Sequence, residues 1–405
     1  MIALFTVKNF SSIKEEQTLS FIPSKDDTMR EYYCKEVAPG VELLKIGLIY
    51  GSNASGKSNL IKALSFLRFL MINGEQKKGD AIPFKPFLLD EESASKPSEF
   101  SLTFYINKER YKLNIVFDRK KIYSEDLQVY ITNRPSLLFH REYNEKADVS
   151  AITFSDQCGL KKTSRQMIEG LALNNRSVIA TVGLSNVERT RLTKVFDYFN
   201  VSLKETLLPE TSMLEYVKKY FEKDNSGKLR KFILKLLKAS DFNIDNFKLL
   251  HNESTEEFVF SHKTDTGDRE LQEEDESRGT QRYMGMAVVL NSLVFNNVII
   301  PFDEIETSVH YELLAYYLKV FLANSKSESQ LIATTHDIHL LDESFIRRDI
   351  IWFTDKNSNG ETQLLRLSSM GLHKNLSPYN AYIQEKLVNL PFTESPFINF
   401  EEDEK

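Results

Sequence analysis

Cysteine is scarce in this chain. Only Cys34 and Cys158 occur in 405 residues, without paired spacing. That excludes a disulfide framework and a cysteine-based zinc site, and both read as small apolar residues in a reducing cytosol. Long apolar runs are missing too. No stretch reaches the roughly 18 residues that cross a bilayer. The opening "MIALFTVKNF" lacks the basic-then-apolar layout of a signal peptide and alternates like a strand. The expectation is a cytoplasmic protein without a membrane partner. An excess of positive charge is also absent, since 52 Lys and Arg face 58 Asp and Glu for a net charge of -6. Nucleic-acid binding is therefore not implied for the chain as a whole, although a local basic patch leaves it open. There is no internal repeat and no low-complexity segment. What remains has the length for a sizeable core, in one large domain with insertions or in two domains.

Residues 1–50 read as β-rich: "IALFTVKNF", "QTLSFIP" and "LLKIGLIY" are apolar-patterned runs between polar stretches. Residues 57–72 carry apolar positions at helical spacing (Leu60, Ile61, Leu64, Leu67, Leu70, Met71). From 99 to 132 the period falls to two, and "EFSLTFYI", "ERYKLNIVF" and "EDLQVYIT" predict an antiparallel meander. Residues 160–240 are mainly amphipathic helix, followed by strands at "FNIDNFKLLHN" and "EEFVFSHKTD". Between 280 and 355, helix, strand, helix, strand and strand alternate, which indicates a parallel sheet with crossover helices. The acidic end, "NFEEDEK", reads as a solvated tail.

The stretch "LIYGSNASGKSNLIKAL", residues 48–64, fits G-x-x-x-x-G-K-[ST]. A strand runs into Gly51, Ser52, Asn53, Ala54, Ser55 and Gly56, and a helix leaves through Lys57, Ser58 and Asn59. Such a loop turns backbone N–H groups inward around phosphates, with the positive end of the helix dipole behind them. Lys57 is then expected at the β- and γ-phosphates and the Ser58 hydroxyl on Mg²⁺. A second metal ligand is expected at Asp303, where the buried strand of "NVIIPFDEIE" ends. Glu304 would orient or deprotonate an attacking water. His336 stands at the exit of the next strand, "LIATTH". Parallel strands bring their C-terminal ends to one edge, so His336 is expected beside the γ-phosphate. The segment "ESRGTQR", residues 276–282, reads by itself as a helix N-cap at Ser277.

Glycine loop, strand-DE and strand-TTH, in that order, resemble the ABC-type ATPase head of SMC and RecF proteins. In that family a serine–glycine signature opens a helix ahead of the acidic strand and binds the γ-phosphate held by a different subunit. Ser277 and Gly279 match its serine and second glycine, with Arg278 in place of the first glycine. A narrower resemblance runs through "FTVKNFSSIKE", "IYSEDLQVY", "ESRGTQR", "DEIETSVH", "THDIHLLD" and "RRDIIWFTDK". It points to the bacterial RecF/SMC-related AAA-type ATP/GTP phosphatases, close to RloA-like and abortive-infection ATPases. Relatives include the ATPase parts of OLD nucleases and of the PARIS and Septu systems. His310 stands where a transporter ATPase has its D-loop aspartate, and the narrower group favours histidine there. No Q-loop glutamine can be placed; "IPFKPF", 82–87, occupies that position.

The resemblance implies an α/β fold: an ABC-type P-loop head with a mixed sheet, an antiparallel β subdomain and a mainly helical insertion. Its N-terminal lobe is expected over 1–140, the insertion over 141–250 and the C-terminal lobe over 251–405. It also implies ATP and Mg²⁺ as cofactors and a homodimer or higher homo-oligomer. The expected role is a hydrolysing dimer switch in anti-phage defence that controls a separate effector, a nuclease or toxin. About a hundred residues of insertion without sustained heptads leave no room for an SMC coiled coil. The roughly 70 residues after His336 look like sheet completion rather than a nuclease domain. Two other readings stay open. One is a RecF/SMC-like DNA-binding ATPase of repair or maintenance, served by the basic stretch Lys161, Lys162 and Arg165. The other is a slow nucleotide-holding scaffold that keeps a toxin inert.

Overall fold

The computed structural model describes residues 1–73, 77–131, 134–224, 226–251, 256–373 and 376–388, so the acidic run 399–405 lies outside it. The first elements are β1 (Ile2–Lys8), β2 (Gln17–Ser20), α1 (Arg30–Tyr33), β3 (Cys34–Ala38), β4 (Val41–Leu44), β5 (Ile46–Tyr50) and α2 (Lys57–Ile72). A short α3 (Glu91–Ser95) precedes β6 (Ser98–Ile106), β7 (Glu109–Phe117), β8 (Ile122–Tyr130), β9 (Pro135–Asn144) and β10 (Val149–Phe154). Helices follow: α4 (Lys162–Leu171), α5 (Val178–Gly183), α6 (Arg191–Asp197), α7 (Met213–Phe221) and α8 (Lys228–Ala239). The remainder is β11 (Asn246–His251), β12 (Glu256–Thr264), β13 (Gly267–Gln272), α9 (Arg278–Phe295), β14 (Ile299–Phe302), α10 (Tyr311–Asn324), β15 (Gln330–Thr334), β16 (Ile351–Lys356), β17 (Thr362–Arg366) and α11 (Pro378–Ile383). No described helix is long and apolar enough to cross a membrane.

Two large sheets organise these elements. The first is antiparallel, in the order β10-β9-β8-β7-β6-β1-β2. Its strands alternate as the period-two pattern requires: in β7 the buried positions are Tyr111, Leu113, Ile115 and Phe117. The second has the order β14-β15-β5-β16-β17, with the first four strands parallel and β17 antiparallel. Here alternation disappears. Every residue of β5, β14 and β15 is buried, the pattern of parallel strands covered on both faces. The mixed α/β architecture is thus the one expected. A third sheet, β11-β12-β13, is antiparallel.

One apolar core joins the two large sheets through α2. Rings of Phe10, Phe66, Phe84, Phe100 and Phe117 meet there, with Phe84 and Phe117 edge-on at 4.8 Å. The segment 82–87 therefore sends Ile82, Phe84 and Phe87 inward. It fills the core and offers no side-chain amide to a phosphate.

The run "LLKIGLIY" is two strands, not one. Lys45 divides it, because its ammonium, on a residue only 2 % exposed, donates to the Leu322 and Ser325 carbonyls at the C-terminus of α10. Burial lowers this lysine to a pKa of about 8. The negative end of the α10 dipole is what the charge meets there.

Two further contacts bear on the site edge. Residues 203–207 run parallel along the outer side of β14: Lys204 N–H donates to Ile299 O, Leu207 N–H to Pro301 O and Asp303 N–H to Leu207 O. At the far end of the sheet, Arg347 and Asp349 form a buried bidentate pair (2.7 and 3.0 Å). Asp349 also accepts from the Ser24 N–H and hydroxyl, each at 2.9 Å. Burial by itself would raise the Asp349 carboxyl, and the Arg347 and Ser24 bonds overcome it, holding it below the usual carboxylate range. Asp349→Asn should cost about 3–5 kcal/mol, because a buried guanidinium loses its counter-charge. Urea unfolding checks this at neutral pH. The gap to wild type should narrow as pH falls below about 4, where Asp349 protonates in the unfolded chain and then in the folded one.

Candidate functional site

The four parallel strands end on one edge, and each end delivers a piece of the same cleft. Gly51 follows β5, Asp303 follows β14, Thr335 and His336 follow β15, and Lys356 closes β16. The cleft holds about 400 Å³ and is lined by Asn53, Ala54, Gly56, Lys57, Ser58, Asn59, Glu304 and His336, with Ser12 and Lys356.

The loop from Gly51 to Gly56 owes its shape to three left-handed residues, Gly51 (φ 153°), Ala54 (φ 62°) and Gly56 (φ 108°). Gly56 is the N-cap of α2. No side chain caps this helix and no acid sits in its first turn, so its leading N–H groups and dipole end are left for a ligand. Lys57 reaches back over the loop and donates to Gly51 O (2.8 Å) and Ser52 O (3.0 Å). Burial pulls its ammonium down to a pKa of about 8, against Glu304, Asp303 and Glu306, which favour the charge. A buried cation held only by carbonyls is suited to an incoming anion. Ser55 is turned away from the cleft: its hydroxyl pairs with Thr354 and its carbonyl accepts from Thr362. Asn59 donates to Ser12 Oγ (2.7 Å), which ties the start of α2 to the turn after β1.

Opposite the loop, Asp303 Oδ1 accepts from Ser58 Oγ (3.1 Å) and from Thr334 Oγ1 (2.5 Å). The same Thr334 oxygen accepts the Glu304 N–H at 2.7 Å. Glu304 takes a left-handed φ of 49°, which swings its carboxylate into the cleft rather than along the strand. His336 also faces the cleft, and its backbone N–H donates to Glu306 Oε1 (2.7 Å). Burial and the Lys57 charge hold its imidazole below the ordinary value, while Glu306, Glu304 and Asp303 oppose them.

Ser58 and Asp303 already share a hydrogen bond, so a small divalent cation can replace that proton with two hard oxygen ligands. Among the described residues no cluster of three or more His, Cys, Asp or Glu side chains gathers for a metal. A hydroxyl, one carboxylate, phosphate oxygens and water make the donor set that Mg²⁺ prefers. The residues fit that ion.

Ser277 and Gly279 lie elsewhere. Ser277 is the N-cap of α9, accepting from Thr280 N–H (3.1 Å), and both Ser277 and Arg278 are exposed. Neither Ser277 nor Gly279 lines the cleft of its own chain. A Cβ on Gly279 would meet Ser308 O at 3.2 Å, so the signature packs on the loop after Glu304. His310 caps α10 with Nδ1, which accepts from Glu312 N–H at 3.4 Å. Of the basic stretch, Arg165 is engaged by Asp156 and Leu160 O, and Lys161 lies 3.7 Å from Glu188. Sequence reasoning missed Ser12, Thr334 and Lys356. Thr334 stands in "TTH" as a hydroxyl at the strand exit; Ser12 and Lys356 lie within "FTVKNFSSIKE" and "RRDIIWFTDK", which carry the resemblance without assigning either residue to the cleft.

The fold and cleft can be set beside known proteins. No curated protein sequence matches the chain. Among solved structures it is similar to the SMC head domain from Thermotoga maritima, at 11% identity and a TM-score of 0.45, over 90% of this chain and 98% of that one. It is also similar to an SMC head bound to the C-winged helix domain of ScpA, at 13% identity and a TM-score of 0.46, over 91% of this chain and 98% of that one. A family model described as "AAA domain, putative AbiEii toxin, Type IV TA system" matches residues 48–342, from β5 past His336. With the glycine loop, the acidic strand and the histidine strand all inside that span, the chain belongs to this AAA-domain family of P-loop ATPases.

Proposed function

We propose that the chain binds ATP with Mg²⁺ in the Lys57 cleft and hydrolyses it to ADP and phosphate as one half of a two-copy site. The observation that carries this reading is the hydrogen-bonded chain Ser58–Asp303–Thr334–Glu304, which gathers a metal-ligand pair and a carboxylate beside Lys57 and the open end of α2. The two lobes of the head are taken as 1–140 and 251–405, with 141–250 inserted between them.

In this mechanism Lys57 leaves Gly51 O and Ser52 O for the β- and γ-phosphates, and the loop N–H groups hold the remaining oxygens. Ser58 and Asp303 would hold Mg²⁺, which would supply charge neutralisation for the phosphates. Glu304 orients a water against the γ-phosphorus and accepts its proton as the new P–O bond forms and the bond to the β,γ-bridging oxygen breaks. His336, whose ring faces the cleft, donates a hydrogen bond to the γ-phosphate or the water. Ser277 and Gly279 of a second copy close over the γ-phosphate with a hydroxyl and the N-terminal N–H groups of α9.

Binding then closes a homodimer and hydrolysis opens it. The output is conformational control of a separate effector, a nuclease or toxin, in a cytoplasmic abortive-infection defence. The family's toxin–antitoxin description supports that setting. Ser277→Arg tests the shared site by placing a bulky cation where the partner's phosphate must dock. ATP affinity should stay within about threefold, while ATP-dependent dimerisation vanishes and phosphate release falls about 100-fold or more. Sedimentation and a phosphate-release assay read both. Loss of the cap costs only about 1 kcal/mol, which a nucleotide-free melt measures separately. Full hydrolysis by the variant would overturn the two-copy site.

A further inference from the structure

The helix that Ser277 opens carries a cation with no part in the mechanism above. Arg282, one turn into α9, is 6 % exposed. Its guanidinium carbon lies 5.2 Å from the ring centre of Phe302, the residue before Asp303. Nη1 finds two weak acceptors, Pro209 O (3.3 Å) and Leu208 O (3.5 Å). Nε and Nη2 are buried without a partner among the described residues. A guanidinium does not escape this cost by losing its proton.

Glu306 has the complementary deficit. Its Oε1 accepts the His336 N–H at 2.7 Å, and its Oε2 is buried without a hydrogen-bond partner. Burial holds the Arg282 guanidinium below its usual basicity, and Glu306 followed by Glu304 supplies the opposing attraction. A starved acceptor on loop 303–310 thus faces the field of a starved donor on α9. The same loop carries Ser308, whose carbonyl touches Gly279 of the signature. Arg282 and Glu306 do not hydrogen-bond each other.

We infer that Arg282 and Glu306 are the two halves of a switchable ion pair, open in the single chain and closed when a second copy engages Ser277 and Gly279. Pressure on the signature moves α9 against loop 303–310 and brings the guanidinium onto Glu306 Oε2. Because Glu306 also holds the His336 backbone N–H, closure fixes the strand exit from which the His336 ring faces the cleft. Both are positioning residues; neither touches the nucleotide. A contact made in only one of two states biases the equilibrium between them, and that is how a docking event on one surface can reach a cleft on another. The inference rests on the two-copy ATPase reading.

Two variants test it. Glu306→Gln keeps the shape and the Oε1 acceptor but removes the charge. Arg282→Met keeps packing on Phe302 and removes the donors. Each should lower kcat about 10- to 100-fold with KM for ATP within about threefold, and the double variant should be no worse than either single one. In a Glu304→Gln background, the same substitutions should weaken the ATP-dependent dimer by a similar factor. The nucleotide-free melting temperature should not fall with Arg282→Met, since the pair is not formed there. Multiplying losses in the double variant, or a drop in nucleotide-free stability that accounts for them, would overturn the pair. A dimer indifferent to both substitutions would sink the pair alone. Failure of the Glu304→Gln chain itself to dimerise with ATP would sink the two-copy reading and the pair with it.

Discussion

Glu304→Gln should stop phosphate release while leaving ATP bound. The drop in kcat should be about 10²–10⁴-fold, the contribution of a positioned general base. The change is confined to one side-chain atom. The backbone of Glu304 is held by Thr334, whose hydroxyl also donates to Asp303. An amide of the same shape therefore leaves the Ser58–Asp303 pair, the left-handed turn and Lys57 in place. What changes is the ability to take a proton from water. ATP affinity should move by no more than about threefold, and the closed dimer should accumulate instead of turning over. Single-turnover phosphate release, equilibrium nucleotide binding and sedimentation give the three readings. Wild-type turnover by this variant would place the base elsewhere, and unchanged output with no trapped dimer would favour a passive scaffold.

Gly56→Ala should remove nucleotide binding at its root. At φ 108° the position is strained for any L side chain. An added Cβ would fall on Thr362 Oγ1, with Thr362 Cγ2 at 2.7 Å and Ser12 Oγ at 2.9 Å. Thr362 has no free rotation to offer, because its hydroxyl donates to Ser55 O (2.9 Å) and pairs with Ser12 (2.7 Å). Relief has to come from the loop itself, which turns its N–H groups out of the cradle. We expect a loss of about 2–4 kcal/mol in unfolding free energy and at least a 100-fold weaker ATP affinity. Gly40→Ala is the control: its φ is 72°, yet nothing lies within 4 Å of the new methyl, so about 1 kcal/mol is the whole expected cost. Urea unfolding and titration calorimetry separate the two.

The parts of this fold that sequence makes legible are those whose burial is written in their own residues. Helix α2 is readable to both ends because Gly56 opens it and its apolar stripe runs unbroken to Ile72. Strands β5, β14 and β15 are readable because every residue in them is buried. Strand β13, Gly267–Gln272, has no buried residue at all, so no periodicity exists to be found, and its place comes entirely from backbone pairing with β12. The meander likewise runs on through β9 and β10, where the edge strand β10 has no fully buried position. At the site, the phosphate loop, Asp303, Glu304 and His336 are marked by short contiguous motifs. Ser12, on the turn after β1, and Lys356, at the end of β16, reach the cleft from distant points in the sequence, and the segments around them do not by themselves assign either to it. The starved pair Arg282 and Glu306 is also invisible in one dimension, because a missing partner is a property of packing.

The strip 203–207 along β14 bears on how this protein can be re-engineered. It lies between α6 and α7 in sequence but belongs to the parallel sheet by hydrogen bonding, and its Leu207 carbonyl accepts the N–H of Asp303 itself. It also covers what would otherwise be an open sheet edge. Chimeras that graft a foreign insertion onto this head should therefore place their junctions around this strip and leave it in the recipient. A graft that replaces it trades away one wall of the metal-ligand strand along with the helices.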